Sequence, residues 1–363
     1  MKVSFISLGC AKNLVNTEQM MALCRDAGHT LQEEPAGADA VVINTCGFID
    51  SAKEEAIDTI LSVAELKSAG QVGKILVTGC LTQRYQQEIL DELPEVDGIM
   101  GTGSYGEIVP ALAEMMAGGT PRRFADIHGM IDEFDRVLTT PGHYAYLRIA
   151  EGCDNRCAYC VIPSLRGKYR SRPMEGLLEE ARELADAGVK ELLVIAQDIT
   201  RYGTDLNGEH QLASLLRELC RLDFHWIRLH YFYPDEVTDE LIEVVASERK
   251  IVKYLDIPLQ HVSKRILRAM HAQQQIACHG DRTEHGRDDC DQRDSRYGSG
   301  TFVRAFQHMQ HSSHILFHVM FHGSRSFLAA HWKPFKNRYG QHAAMNIACL
   351  LYTSPSPRDS TSS

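Results

Sequence analysis

Three strand-like runs in the first 80 residues each end at a cysteine that lies next to a glycine. Helical patterns separate these runs, and strands that alternate with helices at this spacing predict a doubly wound parallel sheet. Because the carboxyl ends of parallel strands meet at one edge of the sheet, where such folds bind ligands, we expect the three thiols to converge there. The runs are VSFISL (Val3–Leu8), AVVINT (Ala40–Thr45) and KILVT (Lys74–Thr78), and the cysteines are Cys10, Cys46 and Cys80.

Two further expectations belong to this first section. The helices between the strands are expected to be amphipathic, and one of them to begin at the capping box Ser51-Ala52-Lys53-Glu54. The alternative interpretation of the three cysteines is that they are buried and act as small hydrophobic side chains.

The alternation of strands and helices resumes after Pro141 with a spacing typical of a β/α barrel. The strand-like runs are YAYLRIA (Tyr144–Ala150), ELLVIA (Glu191–Ala196), WIRLHYF (Trp226–Phe232) and KYLDIP (Lys253–Pro258). In such barrels the chemistry belongs to the loops that follow the strands. The candidate site residues in those loops are Cys153, Cys157, Cys160, Gln197, Asp198, Gln260 and His261.

The loop EGCDNRCAYC (Glu151–Cys160) carries three cysteines at positions i, i+4 and i+7. Cysteine thiolates are the usual ligands of iron–sulfur clusters, and three of them leave one iron of a 4Fe–4S cubane without a protein ligand. An open metal position is what a catalytic site keeps and a structural site closes. A structural zinc site would need a fourth ligand; the nearest preceding histidine is His143, and no Cys-x-x-Cys pair partners it.

Residues 1–271 resemble the radical S-adenosylmethionine methylthiotransferases, and within them the RimO type, which modifies a ribosomal protein. The segments Gly47–Asp50 and Arg166–Arg170 favour this type over the relatives that modify tRNA. The motifs that carry the resemblance are SLGCAKNLVNTE (7–18), NTCGFIDSAKEEAIDTI (44–60), VTGCLTQRY (77–85), YLRIAEGCDNRCAYCVIPSLRGKYRSRP (146–173), AQDITRYG (196–203) and DIPLQH (256–261).

The resemblance implies an enzyme with two 4Fe–4S clusters and S-adenosylmethionine. Cys153, Cys157 and Cys160 would hold the catalytic cluster, whose open iron binds S-adenosylmethionine and whose electron releases a 5′-deoxyadenosyl radical. That radical would remove a hydrogen from the β-carbon of an aspartate on the twelfth protein of the small ribosomal subunit. An auxiliary cluster, which presents the methylated sulfur, would be held by Cys10, Cys46 and Cys80.

Other roles follow from the same resemblance. Tyr159 would lie beside the catalytic cluster, Gln197 and Asp198 would meet the amino group of S-adenosylmethionine, and Gln260 and His261 its ribose. The alternative for these loop residues is hydrogen bonding to their own backbone. Expected partners are the ribosomal protein and a reduced flavodoxin or ferredoxin as electron donor, with the chain itself a monomer.

Charge and hydropathy separate the remaining alternatives. Residues 1–140 carry ten Lys and Arg against 21 Asp and Glu, which argues against a tRNA adenosine methylthiotransferase, since tRNA calls for a basic surface. No apolar run approaches the roughly 18–20 residues of a membrane span. The chain is therefore expected to be cytoplasmic and to have no membrane partner. In that compartment its eleven cysteines are expected to stay reduced. The third alternative is an inactive iron–sulfur-binding fragment.

The family pattern ends near His271. The expected domains are an N-terminal methylthiotransferase domain over residues 1–138, an incomplete barrel over 139–271 and an irregular tail over 272–363 that replaces the rest of the barrel and a C-terminal TRAM domain. The tail holds nine of the seventeen histidines and no strand–helix period. Its Cys278, His279, His285 and Cys290 are too irregularly spaced to predict a zinc site.

We predict that residues 272–363 are not part of the evolved enzyme, because selection for a core leaves periodic apolar positions that a shifted reading frame destroys. Reading the coding DNA in all three frames beyond the His271 codon tests this. A frame that restores a Gly-Phe-Pro-Gly-Glu-Thr-like segment indicates a frame error, and the lack of one a chimeric join. A compact, protease-resistant domain made from residues 272–363 alone would contradict both.

Overall fold

Two parallel sheets organise the part of the chain that the structure, a computed structural model, describes: residues 1–131, 133–260, 264–271 and 316–321. The first sheet has six strands in the order β2-β1-β3-β4-β5-β6, and the second has five in the order β13-β12-β11-β10-β7. Every strand pair within both sheets is parallel. This confirms the predicted α/β fold of a doubly wound N-terminal domain followed by a partial barrel.

The N-terminal domain alternates strands and helices along the sequence. Its elements are β1 (Lys2–Ser7), α1 (Ala11–Asp26), β2 (Thr30–Gln32), β3 (Ala38–Thr45), α2 (Asp50–Ser68), β4 (Val72–Gly79), α3 (Cys80–Tyr85), α4 (Gln87–Glu92), β5 (Gly98–Met100), α5 (Ile108–Met116) and β6 (Arg122–Arg123).

The barrel section follows the same rhythm. Its elements are β7 (Tyr144–Arg148), β8 (Ala150–Glu151), α6 (Ile162–Arg166), β9 (Arg170–Ser171), α7 (Met174–Asp186), β10 (Glu191–Ile195), α8 (Thr204–Asn207), α9 (Leu212–Leu219), β11 (Trp226–Leu229), α10 (Asp239–Ser247), β12 (Ile251–Leu259), α11 (Lys264–Ala269) and β13 (Leu316–Phe321). Strands β8 and β9 pair as a separate antiparallel ribbon.

Burial explains why these segments form their elements. Strand β3 is buried at every position but Asp39, as expected for a central strand of a parallel sheet covered on both faces. Helix α2 buries Ala56, Ile60 and Val63 at helical spacing and leaves Ile57 38% exposed, so one stripe of it faces the core.

The capping box at Ser51 was a wrong prediction. Helix α2 begins one residue earlier, at Asp50, and its N-cap residue Ile49 makes no side-chain capping bond. Asp50 takes over the stabilisation of the first turn, because its carboxylate suits the positive end of the helix and pairs with Lys53 at 2.5 Å.

Helix α1 also differs from the amphipathic helix that the sequence predicted. It buries a set of polar side chains, which are Lys12, Asn13, Asn16, Thr17, Glu18 and Gln19. One face of this helix packs on the sheet and another meets the barrel, so polar residues are enclosed on both sides. Buried polar groups of this kind need hydrogen-bonding partners. The partners of Asn13 Oδ1, Asn16 and Gln19 come from the barrel section, whereas Thr17 is bonded within its own domain.

One strand boundary matters for the site. Strand β11 ends at Leu229, three residues before the predicted Phe232. The chain leaves the extended conformation there, since Tyr231 has a left-handed φ of 67°. His230 and Tyr231 therefore belong to the loop at the carboxyl end of the sheet.

Most of the tail lies outside the described residues, including Cys278, His279, His285 and Cys290. The described part of it, Leu316–Phe321, forms strand β13 and pairs in parallel with β12 from Tyr254 to Leu259. Within the residues described, no helix is long and apolar enough to cross a membrane.

Candidate active site

The first cysteine set converges at the carboxyl edge of the N-terminal sheet. Cys10, Cys46 and Cys80 follow β1, β3 and β4, which are adjacent in the sheet. The neighbouring glycines permit the approach. A β-carbon on Gly9 would lie 2.6 Å from the Cβ of Cys46, and one on Gly47 would lie 2.9 Å from the carbonyl oxygen of Cys80. Glycine beside each cysteine is thus a packing requirement.

Two cations lie against this set of thiols. Burial raises the pKa of the Cys10 thiol, but the charges of Lys12 and Arg166 outweigh it, so the pKa is lowered overall. Burial raises the pKa of Cys46 and of Cys80, and Arg166 opposes the rise at both. Cys10 remains open to solvent although protein surrounds it, as expected for a residue that lines a cleft.

The second set, Cys153, Cys157 and Cys160, lies on the loop after β8, and all three residues are half-buried. Backbone hydrogen bonds shape the loop: Cys160 N donates to Cys157 O over 2.9 Å, and Ala158 N donates to Met270 O over 2.8 Å. Gly152 starts the loop at a φ of 82°, where a β-carbon would lie 2.0 Å from the carbonyl oxygen of Lys168.

Both sets offer only thiols as donors, and their spacing does not suit one ion. Among the residues that the structure describes, no group of three or more His, Cys, Asp or Glu side chains is close enough to hold a single metal ion. A cubane is wider than an ion, so its cysteine ligands stand farther apart. Burial raises the pKa of Cys153 to about 11, so binding of iron must displace the proton. Two sets of three thiols fit iron–sulfur clusters by donor type.

Gln197 and Asp198 lie at the carboxyl end of β10, as expected. Asp198 is 1% exposed; its Oδ1 accepts the amide N–H of Thr200 over 3.0 Å, and its Oδ2 has no hydrogen-bond partner among the described residues. Burial raises the pKa of Asp198 to about 6 in spite of the bonds from Thr200. Gln197 donates to Glu151 Oε1 over 2.5 Å and leaves its own Oε1 without a partner in the described part.

The structure describes one of the two residues expected near the ribose, Gln260, but not the other, His261. Gln260 accepts a hydrogen bond from the hydroxyl of Tyr159, which links the cysteine loop to the end of β12. Tyr159 is 47% exposed. His261 lies outside the described residues, so its role stays a prediction.

Two residues at this end of the barrel were missed. His230 and Tyr233 follow β11, and His230 Nε2 and the Tyr233 hydroxyl are buried with no hydrogen-bond partner among the described residues. They lie on the same rim as Gln197 and Asp198, whose free oxygens are also unsatisfied. The predicted strand Trp226–Phe232 contains His230 and ends one residue before Tyr233, so the pattern assigned neither residue to a site.

A buried carboxylate joins the two cysteine regions. Glu151 Oε2 accepts from Arg148 over 2.9 Å and from Arg166 over 3.2 Å, and Oε1 accepts from Gln197 and from the amide of Gly152. Burial raises the pKa of Glu151, but the two guanidinium groups outweigh it and hold the pKa at about 2. The carboxylate is therefore ionised and fully hydrogen-bonded.

The same arginines reach into the N-terminal domain. Arg166 donates to Asn13 Oδ1, and Arg148 donates to Asn16 Oδ1 and to Gln19 Oε1. Asn13 in turn donates to the backbone oxygens of Leu8 and Thr45 over 3.0 Å. A chain of hydrogen bonds thus runs from the barrel to the strand ends beside Cys10 and Cys46.

A second buried network supports the contact between the domains. Glu18 Oε1 accepts from the backbone N–H and the hydroxyl of Thr139, and Glu18 Oε2 lies 3.6 Å from Arg136. Glu180 pairs with Arg136 at 3.1 Å and with Arg172 at 2.6 Å. Arg166 and Arg172 are 3% and 4% exposed, so both guanidinium groups belong to the buried contact between the domains.

The two sheets match two family models. Residues 2–101 match the uncharacterized protein family UPF0004, and residues 147–277 match the radical SAM superfamily. The cysteine loop at the carboxyl end of a parallel β/α sheet defines a protein of the radical SAM class.

Curated relatives narrow this class. The chain is 51% identical over 272 residues to the ribosomal protein uS12 methylthiotransferase RimO of Symbiobacterium thermophilum, and 52% identical over 272 residues to that of Lachnoclostridium phytofermentans. Each alignment covers 74% of this chain, and 56% and 62% of the respective relatives. The chain therefore spans about three fifths of the length of these relatives.

Residues 1–271 belong to the radical S-adenosylmethionine methylthiotransferase family, of the RimO type. A solved structure agrees with the fold. The radical S-adenosylmethionine methyltransferase TsrM from Kitasatospora setae, bound to tryptophan and a SAM analogue, has a TM-score of 0.61 and 13% identity, covering 88% of this chain and 67% of that one.

We predict that Glu151→Gln destabilises the protein by about 3–5 kcal/mol, because it removes the negative charge between two buried guanidinium groups. Glu183→Gln is the matched control, since Glu183 lies on the exposed face of α7 and is expected to change stability by less than about 0.5 kcal/mol. Urea unfolding of both variants measures the difference. Equal unfolding midpoints would show that the carboxylate does not stabilise the docked domains.

Proposed function

We propose that a complete form of this enzyme adds a methylthio group to the β-carbon of an aspartate of ribosomal protein uS12 by radical S-adenosylmethionine chemistry. The observation that carries the proposal is that each of the two docked parallel sheets has three cysteines in the loops at its carboxyl end. Lys12, two residues after Cys10, places its Nζ 3.2 Å from the ring centroid of Tyr231 at the end of β11. The relatives named for uS12 methylthiotransfer support the substrate.

In this proposal Cys153, Cys157 and Cys160 hold the catalytic cluster. A bound 4Fe–4S cluster with one open iron supplies the site that chelates S-adenosylmethionine and the electron that cleaves its sulfonium. The unsatisfied acceptors Asp198 Oδ2 and Gln197 Oε1 suit the ammonium group of that ligand. A cation beside Asp198 would also keep this carboxylate ionised, which its burial alone opposes.

The remaining rim residues position the same ligand. Gln260, tied to the hydroxyl of Tyr159, and His261 would face the ribose. The hydroxyl of Tyr233 and Nε2 of His230 are further polar groups that a bound ligand would satisfy. Their role is to orient the ligand and to replace the water that would otherwise solvate it.

Cys10, Cys46 and Cys80 would hold the auxiliary cluster. The surrounding charges support this assignment, because the buried cations Lys12 and Arg166 lie beside Cys10. The buried carboxylates that face these cations are Glu151 and Asp256, and Glu151 is shared with Arg148. Thiolates that hold a cluster there would add negative charge next to the cations, whereas buried neutral thiols would not.

The electron donor and the assembly belong to the same proposal. A reduced flavodoxin or ferredoxin would supply the electron, and the enzyme would act as a monomer. Of the two alternatives, the inactive iron–sulfur-binding fragment has more support. The second sheet contains four strands from residues 1–271, namely β7, β10, β11 and β12, and its fifth strand, β13, comes from the tail. This is why the test of activity needs a completed barrel.

We predict that anaerobic reconstitution loads two 4Fe–4S clusters. The triple variant with Cys153, Cys157 and Cys160 replaced by Ala should lose about half of the iron and all cleavage of S-adenosylmethionine, since each cluster depends on its own three thiolates. Cys24→Ala with Cys220→Ala is the control, because these two cysteines lie in the apolar cores. Unchanged iron in the triple variant would remove the basis of the assignment.

We further predict the product of a chain whose barrel is completed from a relative. Mass spectrometry should find the methylthio group on an aspartate of uS12. The variant with Cys10, Cys46 and Cys80 replaced by Ala should still cleave S-adenosylmethionine but form no methylthio product. A methylthio group on a tRNA adenosine instead would reassign the enzyme to the tRNA-modifying relatives.

A further inference from the structure

A cavity of about 60 Å³ lies between the N-terminal domain and the barrel. Its lining includes Asn16 of α1, Tyr105 from the turn after β5, and Arg148 and Arg170 of the barrel section. Since one water molecule needs about 10–15 Å³ of cavity volume, the cavity has room for roughly four to six water molecules. It is large enough for a small polyatomic ion.

Four polar groups of the residues that line this cavity make no hydrogen bond of good geometry with the described residues. These groups are Asn16 Nδ2, the Tyr105 hydroxyl, Arg148 Nε and Arg170 Nε, and the Asn16 side chain lies close to the Tyr105 hydroxyl. Asn16, Arg148 and Tyr105 are 0%, 4% and 8% exposed, so bulk water does not satisfy them. All four can donate a hydrogen bond, and three of them can only donate.

The acceptors next to these donors are already in use. Glu151 accepts four hydrogen bonds through its two oxygens, which is about the capacity of a carboxylate. Asn16 Oδ1 and Gln19 Oε1 accept from the terminal nitrogens of Arg148. The cavity therefore has an excess of donors, and water, which brings donors as well as acceptors, does not match it well.

Charge adds to this excess. Arg148, Arg166 and Arg170 line the cavity, and the acidic residues of its lining within the described part of the chain are Glu151 and Asp126. Asp126 is exposed and screened by solvent, so the buried part of the lining is positive. Guanidinium groups bind planar or tetrahedral oxyanions best, because their N–H groups match the spacing of the oxygens.

We propose that this cavity binds a small oxyanion of the carboxylate or phosphate type. The anion would accept from these four donors, and because they belong to both domains, it would hold the domains together. The anion-binding proposal depends on the contact between the domains and does not depend on the methylthiotransfer reaction. Each of the two proposals can therefore be wrong while the other is right.

The test is thermal unfolding of the full chain, prepared free of oxyanions and titrated at constant ionic strength with inorganic phosphate, sulfate or acetate against chloride. A saturable rise in the unfolding midpoint is expected with at least one oxyanion, since a ligand that binds only the folded state stabilises it. Phosphate as the tighter ligand indicates the phosphate class, and acetate the carboxylate class. A rise that chloride reproduces equally, or no saturable rise, would leave a water-filled cavity and overturn the proposal.

Two variants tie the binding to the cavity. Tyr105→Phe removes one donor and should raise the apparent dissociation constant about tenfold, and Arg170→Lys should raise it although the charge is kept. The matched control is Tyr202→Phe, whose hydroxyl is also buried but donates to the backbone oxygen of Arg172. It should lower the midpoint without changing the dissociation constant. Equal affinities in Tyr105→Phe, Arg170→Lys and the control would place any bound anion elsewhere.

Discussion

The carboxylate of Glu151, held between Arg148 and Arg166, is the interaction on which the rest of the structure depends. Removing three charged groups from water is costly, and their attraction offsets this only because both carboxylate oxygens are fully hydrogen-bonded. The arginines then use their remaining N–H groups on Asn13, Asn16 and Gln19. An apolar interface of the same area could slide, whereas this one has a single arrangement that satisfies its donors.

That arrangement fixes the geometry of the candidate site. Arg166 ends helix α6, which follows the cysteine loop, and its side chain lies beside Cys80, so the barrel section reaches the first thiol set through this residue. The glycines next to the cysteines let the strand ends crowd together, and Lys12 contacts Tyr231 at the barrel rim. Positive charge is concentrated where thiolates are proposed to carry clusters, and unsatisfied polar atoms are concentrated where the cofactor is proposed to bind.

The sequence predicted what depends on local pattern and missed what depends on docking. Alternating strands and helices, with a cysteine after three of the strands, were sufficient to place Cys10, Cys46 and Cys80 at one edge. The polar face of α1 was not predictable, because the partners of Asn16 and Glu18 are more than 100 residues away along the chain. The capping-box prediction failed within the local sequence itself, since the helix begins at Asp50, one residue earlier, and Asp50 pairs with Lys53.

The central claim is that the two cysteine sets carry clusters held close together by the docked domains. Electron paramagnetic resonance of the reduced, reconstituted protein tests it most directly, because two nearby paramagnetic clusters broaden or split each other's signals. The spectrum should differ from the sum of the spectra of the two triple-cysteine variants, each of which keeps one cluster. A spectrum equal to that sum would show that the clusters do not interact and would contradict the account.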